Sequence, residues 1–368
     1  MAGSRGCHSR GRISIRTVPH FEGRLIQQAQ YTDGAQASSN EGREQMMQSD
    51  ETIMVTGGAG FIGSHIVERL AVTGSRVVVL DDLSTGSMAN ISGSLAAGRV
   101  VVHETDVRSR DMHEIFAEEH PDVVLHLAAQ LDVRVSVQDP MLDADINILG
   151  TLNLLECARE TGVRKVVVAS SGGCVYGEAR TLPIRESFRG RPRSPYGISK
   201  RVLHQYLEFY REVHGLRYAV LALSNVYGPR QNPHGEAGVV AIFLRAMLEN
   251  HETTIFGDGS QTRDFVYVDD VAEAFIRSIG RAEGVMNIGT GTQTSVIELW
   301  RRCAEVVGYS RDPVFAPERS GELQANALDW SRAAQVLGWR PSWSATEGIR
   351  ATASFFRDSR EEAAVSVG

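Results

Sequence analysis

Tyr196 and Lys200 stand four residues apart in Ser194-Pro195-Tyr196-Gly197-Ile198-Ser199-Lys200, and the chain holds only one other lysine, Lys165. Every other basic side chain among the 38 Lys and Arg is arginine, so a retained lysine points to a task that guanidinium performs badly. Proline suits the first turn of a helix, and if Pro195 opens one, positions 196 and 200 share a face. An ammonium fixed beside a phenol favours phenolate and lowers a pKa that is ordinarily about 10. Tyr196 is therefore a candidate general base and acid. The pair alone leaves open a tyrosine that merely packs on an amphipathic helix.

A second group of residues narrows the choice. Glu51-Thr52-Ile53-Met54-Val55-Thr56 reads as a short buried strand and runs directly into Gly57-Gly58-Ala59-Gly60-Phe61-Ile62-Gly63. Ile62, Ile66, Val67 and Leu70 then recur at helical spacing. Gly57, Gly60 and Gly63 permit a tight turn, close approach of backbone to a phosphate, and close packing of helix on strand. The helix N-terminus offers free amide hydrogens and the positive end of its dipole to a pyrophosphate. A second strand, Val77-Val78-Val79-Leu80-Asp81, ends 18 residues after Gly63. Asp81 is placed to accept hydrogen bonds from an adenosine ribose, and with Asp82 it repels a 2′-phosphate. The expected cofactor is NAD.

The elements that must position these residues alternate. Val100-Val101-Val102 leads to Asp106, and 122–127 is a buried-type strand ending in Ala128-Ala129. A helix is predicted over 145–160 with Gly162 as its stop, then a strand over 165–170. A helix over 196–214 and a strand over 218–223 follow. Alternation of this kind predicts an α/β fold, a Rossmann-type doubly wound parallel sheet. Asp81, Asp106, Ala128 and Ser170 all fall at strand ends, which places them in one crevice. From about 173 the pattern loosens around Pro183, Pro192, Pro195, Pro229 and Pro233. Trp300, Trp330, Trp339 and Trp343 all lie in the last quarter of the chain and read as core anchors of a smaller domain. His126 reads as structural.

Thr56-Gly57-Gly58-Ala59-Gly60-Phe61-Ile62-Gly63, Val175-Tyr176-Gly177, the Tyr196/Lys200 pair and Arg263-Asp264-Phe265-Val266-Tyr267-Val268-Asp269-Asp270 occur in one order. From about residue 52 to about 355 the chain resembles the extended short-chain dehydrogenase/reductases, and within them the nucleotide-sugar epimerases of the UDP-glucose 4-epimerase group. The resemblance implies a smaller, discontinuous α/β substrate-binding domain. The expected organisation is 51–228 for the NAD-binding domain with 264–282 returning to it, 229–263 and 283–358 for the substrate portion, and 359–368 as a tail. It also implies transient oxidation at C4 of a nucleotide-diphospho sugar, with Tyr196, Lys200 and Ser171 catalytic. Cofactor contacts are implied for Gly57, Gly60, Phe61, Ile62, Gly63, Asp81, Asp82, Asp106, Val107, Leu127, Ala128, Ala129, Asn147, Ser170, Tyr196 and Lys200. Substrate contacts are implied for Ser171, Tyr196, Asn225, Arg263, Arg319 and Asn326. Asn326 lies seven residues after Arg319, where the family gates its sugar pocket, and a small residue there admits an N-acetylhexosamine. A homodimer is implied as well.

The chain departs from the family at Gly172, four residues before Tyr176, where a Ser or Thr usually hydrogen-bonds the reacting oxygen. The adjacent Ser171 fills that role if the glycines shift the loop, and otherwise a water does. Dehydratases and decarboxylases of the family carry acids just before Val-Tyr-Gly, where this chain has Gly173 and Cys174. A dehydratase, lyase or 4-keto reductase on a nucleotide sugar remains the alternative activity.

With 368 residues and a formal charge of −7, the chain gives no support to nucleic-acid binding. No apolar stretch is long enough to span a membrane. Cys7, Cys157, Cys174 and Cys303 lack metal-ligand or disulfide spacing and read as reduced cytoplasmic thiols. Residues 1–50 lack apolar periodicity and are expected to be disordered. Met46 and Met47 lie just before the first strand, so a natural start there is a further expectation.

Overall fold

The computed structural model describes residues 51–366, apart from 97, 234–237, 281 and 320–322, so the expectations for 1–50 and for the last two residues lie outside the described residues. Seven parallel strands form the central sheet: β1 (Thr52–Thr56), β2 (Arg76–Asp81), β3 (Val100–Glu104), β4 (Val123–His126), β5 (Lys165–Ser171), β6 (Arg217–Leu223) and β7 (Gly284–Ile288). Their order is β7-β6-β5-β4-β1-β2-β3, which reverses direction between β1 and β4, the place where such sheets bind ligands. Valine-rich strands suit a sheet covered on both faces. Ile53, Val55, Val77 and Val79 pack to one side against Ile66, Val67 and Leu70 of α1 (Phe61–Ala71). Met54, Val78, Val124 and Val166 pack to the other side. Their partners are Phe116 of α2 (Asp111–Glu119), Leu154 of α5 (Thr151–Glu160) and Leu207 of α6 (Pro195–His214). This is the alternation of side chains that an extended strand imposes.

Two short helices, α3 (Val133–Gln138) and α4 (Pro140–Ala144), follow β4. The helix predicted over 145–160 is regular only from Thr151, because Asp145–Gly150 widens into a π turn. The helix carrying the tyrosine–lysine pair begins as expected. Ser194 accepts from the Gly197 amide, Pro195 occupies the first turn, and Gly215 closes the end at φ 71°.

Outside the sheet, a separate core gathers Tyr227, Phe243, Leu244, Leu299, Trp300, Cys303, Ile349 and Ala353. It is built by α7 (Val239–Leu248), α9 (Val296–Val307) and α10 (Ala345–Ser366). Between α7 and α9, α8 (Val268–Ser278) packs its Val271 and Phe275 on the main core instead. Two expectations need correction here. The return to the sheet does not stop at 282, since β7 pairs with β6 from Gly284↔Ala219 to Ile288↔Leu223. The four tryptophans do not share one small core. Trp300 does sit there, whereas Trp339 is buried in the sheet's own core and donates to the Asp270 carbonyl. Trp343 stacks on Tyr267 at 4.3 Å.

Lys165, the other lysine, is fully buried at the start of β5. It donates to the Ser278 carbonyl, to Gly280 O at 2.8 Å and to Ala282 O at 2.5 Å. Three donors on one compact head meet three carbonyls in the turn that leads from α8 to β7, a fit that a planar guanidinium lacks.

Candidate active site

The glycine loop is built as its spacing predicts. Gly57 takes φ 69°, and a Cβ there would lie 2.8 Å from Ala128 N, while one on Gly63 would lie 2.0 Å from Gly57 O. The first turn of α1 contains no acid, and its N-cap, Gly60, brings no capping side chain. Its amide hydrogens and dipole end therefore suit a pyrophosphate. Asp81, buried at the end of β2, accepts from Ala59 N and Leu83 N, both at 2.9 Å. Burial raises its carboxyl above the usual range, and those backbone donors pull the other way. A carboxylate has about four acceptor sites, so capacity for ribose hydroxyls remains.

His126 links the sheet to this loop. It is fully enclosed, and burial followed by the nearby Lys200 holds it neutral, down to about 3. The Thr151 hydroxyl donates to Asn147 O and so accepts from His126 Nε2 at 2.9 Å. The opposite nitrogen, Nδ1, then accepts from the Thr56 hydroxyl at 2.7 Å. Thr56 Oγ1 in turn takes the amides of Leu127 and Ala128 at 3.2 Å. The structural reading of His126 thus has a definite content: it fixes the backbone expected to face the cofactor. Asp106 is differently engaged from what its strand-end position suggests. Arg108 holds its carboxylate at 2.6 Å and bridges to Asp145, which pulls the Asp106 carboxyl below its usual range. Asp82 is tied to Ser84, and Ser170 Oγ to His204 Nε2 at 2.9 Å. Val107 packs under Gly150, where a Cβ would meet it at 2.7 Å.

Tyr196 and Lys200 share a face of α6, with Lys200 Nζ 5.9 Å from the tyrosine ring centroid and 3.3 Å from Ala169 O. Burial lowers Lys200 to about 8, and Asp143 opposes that shift. The expected acidification of Tyr196 by Lys200 is corrected. The phenol keeps some solvent exposure in its cleft, yet its walls push it above its ordinary value, with Cys174 and Asp143 adding to the rise. The group acting in the opposite sense is Ser171, whose hydroxyl reaches the phenol.

That contact bears on the Gly172 departure. A Cβ on Gly172 would meet Leu328 Cδ1 at 2.4 Å and Ala222 O at 3.2 Å, so a side chain there would enter packed core. Ser171, one residue earlier at the end of β5, is the hydroxyl near enough to both Tyr196 and the Cys174 thiol to lower each of them. Ser171→Ala is expected to lower kcat about ten- to a hundredfold, the size of one hydrogen bond to developing charge. Adding Gly172→Ser should not restore it. A loss below about threefold would favour a water in place of Ser171.

A cavity of about 410 Å³ brings Asn225, Arg263 and Arg319 together with Arg134 and Gln231, and Arg263 is near enough to Cys174 to lower its thiol. Arg319 stacks on Phe256 with 3.9 Å to the ring centroid. Three guanidiniums around one cavity suit a diphosphate, which they bind through a planar fork. Arg134 was not foreseen, since nothing in its spacing separates it from the many other arginines. Asn326 is buried to 1 % exposure, and among the described residues neither amide atom has a hydrogen-bond partner.

Residues 53–289 match the NAD dependent epimerase/dehydratase family. The chain belongs to that family. It is 48 % identical over 307 residues to UDP-glucose 4-epimerase of Mycolicibacterium smegmatis, covering 83 % of this chain and 98 % of that one. Among solved structures it is similar to Thermus thermophilus UDP-glucose 4-epimerase in complex with NAD, with TM-score 0.78 and 44 % identity. That match covers 83 % of this chain and 99 % of the other. It is also similar to UDP-N-acetylglucosamine 4-epimerase from Methanobrevibacter ruminantium in complex with UDP-N-acetylmuramic acid. There the TM-score is 0.81 and the identity 33 %, covering 85 % and 100 % of the two chains. As a member of that family, the chain is NAD-dependent.

Proposed function

We propose that the protein is an NAD-dependent 4-epimerase of UDP-sugars, with UDP-glucose and UDP-galactose as its basic pair. What carries this is the grouping of Tyr196, Lys200 and Ser171, together with an arginine-lined cavity whose Arg263 acts on Cys174, and no carboxylic acid at Gly173 or Cys174 to drive elimination. Held at the glycine loop and Asp81, NAD would supply a reversible acceptor for the C4 hydride. Tyr196 takes the proton of the 4-hydroxyl and gives it back, and Ser171 donates to the same oxygen. Arg263, Arg319, Arg134 and Asn225 hold the diphosphate, so remote binding energy is spent on anchoring while the sugar turns. Purified protein should interconvert the two UDP-hexoses without added cofactor. Net oxidation or loss of water from the sugar would overturn the assignment.

The proposal extends to N-acetylhexosamines. Asn326 presents a buried amide whose donor and acceptor are both unmatched among the described residues, and leaving such groups unpaired costs about 1–3 kcal/mol. An acetamido group offers a carbonyl and an N–H of complementary kind. UDP-N-acetylglucosamine is therefore expected to be a substrate, and Asn326→Tyr should abolish its turnover while sparing UDP-glucose. Kinetics on both sugars decide this, and no turnover of the N-acetyl sugar by the parent enzyme would refute it.

A homodimer in the cytoplasm completes the proposal. Ile198, Tyr206, Phe209 and Val213 line an exposed face of α6, with exposed Val137 of α3 and Met141 of α4 among the other large apolar side chains. A row of that kind on one helix suits a self-complementary partner surface. Light scattering that gives the mass of a single chain would overturn it. The described cysteines, Cys157, Cys174 and Cys303, are unpaired thiols, which fits a reducing compartment.

A further inference from the structure

The carboxylate of Asp143 is wholly buried on α4. It accepts from Ser199 Oγ at 2.6 Å, Gln130 Nε2 at 3.0 Å and Asn147 Nδ2 at 3.0 Å. All three donors are neutral, although a buried charge is ordinarily paired or avoided. Each donor has a place in the site. Ser199 immediately precedes Lys200 on α6, Asn147 stands in the π turn, and Gln130 follows the β4 end that faces the cofactor position. Asn147 Nδ2 also binds Gln130 O at 2.9 Å, which closes the cluster on itself.

We propose that Asp143 is a positioning residue for the catalytic pair: its carboxylate pins the turn of α6 that carries Lys200 and supplies the anionic field that balances the Lys200 ammonium. A short, firm hydrogen bond to the neighbouring Ser199 fixes the register of that turn, and three donors make the site unsuited to a neutral side chain. The charge is close enough to act on both members of the pair, raising Lys200 against the lowering by burial and raising the Tyr196 phenol. The other titratable groups facing the pair are His126 from β4, His204 from α6 and Cys174 from the loop after β5. Burial holds both histidines neutral, at about 3 and about 4, and holds the Cys174 thiol up. Asp143 is thus the anion of this group. The inference rests on the reading of Tyr196 and Lys200 as the catalytic pair.

The test is the pH profile of kcat for UDP-galactose in the parent, Asp143→Asn, Ser199→Ala and Tyr196→Phe, between about pH 6 and 10. Asp143→Asn keeps the shape and removes the charge. The limb that Lys200 sets within this window is expected to move to lower pH by about half a unit or more, since the lost anion raised that group. Ser199→Ala removes the pin and keeps the charge, so kcat should fall severalfold with the limbs in place. A uniform fall in kcat for Asp143→Asn with that limb unmoved means a merely structural role and overturns the field. Parent-like kcat in Ser199→Ala overturns the pin, and that variant decides the proposal alone should Asp143→Asn fail to fold. Wild-type turnover in Tyr196→Phe would instead overturn the catalytic reading itself, whatever Asp143→Asn does.

Discussion

Tyr196→Phe is expected to lose about a thousandfold in kcat for UDP-galactose while retaining bound NAD. General acid–base groups contribute roughly 10² to 10⁴ in rate, and a thousandfold is about 4 kcal/mol of transition-state stabilisation. The substitution removes one oxygen from a ring held on α6 and leaves Lys200 on its Ala169 carbonyl, so the cofactor site should stay intact. Dinucleotide released from the denatured variant and counted against protein checks retention, and single-turnover kinetics checks the rate. Turnover within about tenfold of the parent would remove the phenol from the mechanism. The raised phenol also gives a direction in pH. Because burial favours the neutral tyrosine, the base is sparse near neutrality and kcat should climb as the solution becomes more alkaline, until Lys200, lowered to about 8, loses its proton.

The second large effect concerns stability. Lys165→Met leaves three carbonyls in the α8–β7 turn without their donor, and each unsatisfied buried group costs about 1–3 kcal/mol. Below about pH 7, where the head is protonated and has all three donors, a loss of roughly 3–5 kcal/mol in unfolding free energy is expected, the size seen when one partner of a buried charged arrangement is removed. Lys165→Arg keeps the charge but not the compact head, and it should fall well below the parent too. Burial pushes Lys165 down to about 7 from 10.5. Between those values the unfolded chain holds a proton that the folded chain has given up, so the parent's stability should rise with pH across that window. Lys165→Met should lack that rise. Chemical denaturation at three pH values measures both effects, and a loss under about 1 kcal/mol would show that water or backbone movement satisfies the turn.

Local pattern carried much of this architecture. Short apolar runs marked six of the seven strands, because a strand buried on both faces has little choice of residue type. The glycine spacing marked the loop, because a Cβ at Gly57 or Gly63 has nowhere to go. Pro195 and Ser194 marked the start of α6, because capping is local chemistry. What escaped was set by distance along the chain. Strand β7 lies more than sixty residues beyond its partner β6, inside a stretch of loops and short strands, and Gly-Val-Met-Asn-Ile has no alternation to betray its edge position. Asp143 looks like any acid in a short helix until Ser199, 56 residues on, is brought against it. The spacing of Tyr196 and Lys200 located the pair correctly, but spacing holds no information about enclosure, and enclosure decided the direction of the phenol's shift.

The two lysines have one more consequence. Lys165 is 0 % exposed and Lys200 4 %, and no other lysine occurs anywhere in the 368 residues. The folded protein therefore offers reagents that acylate lysine amines, and proteases that cut after lysine, almost nothing to attack. Each lysine becomes a reporter of a different opening: Lys200 of the cleft, Lys165 of the sheet and the turn beneath it. Acylation at Lys200 should slow when NAD occupies the cleft, whereas acylation at Lys165 should follow only the unfolding of the whole domain.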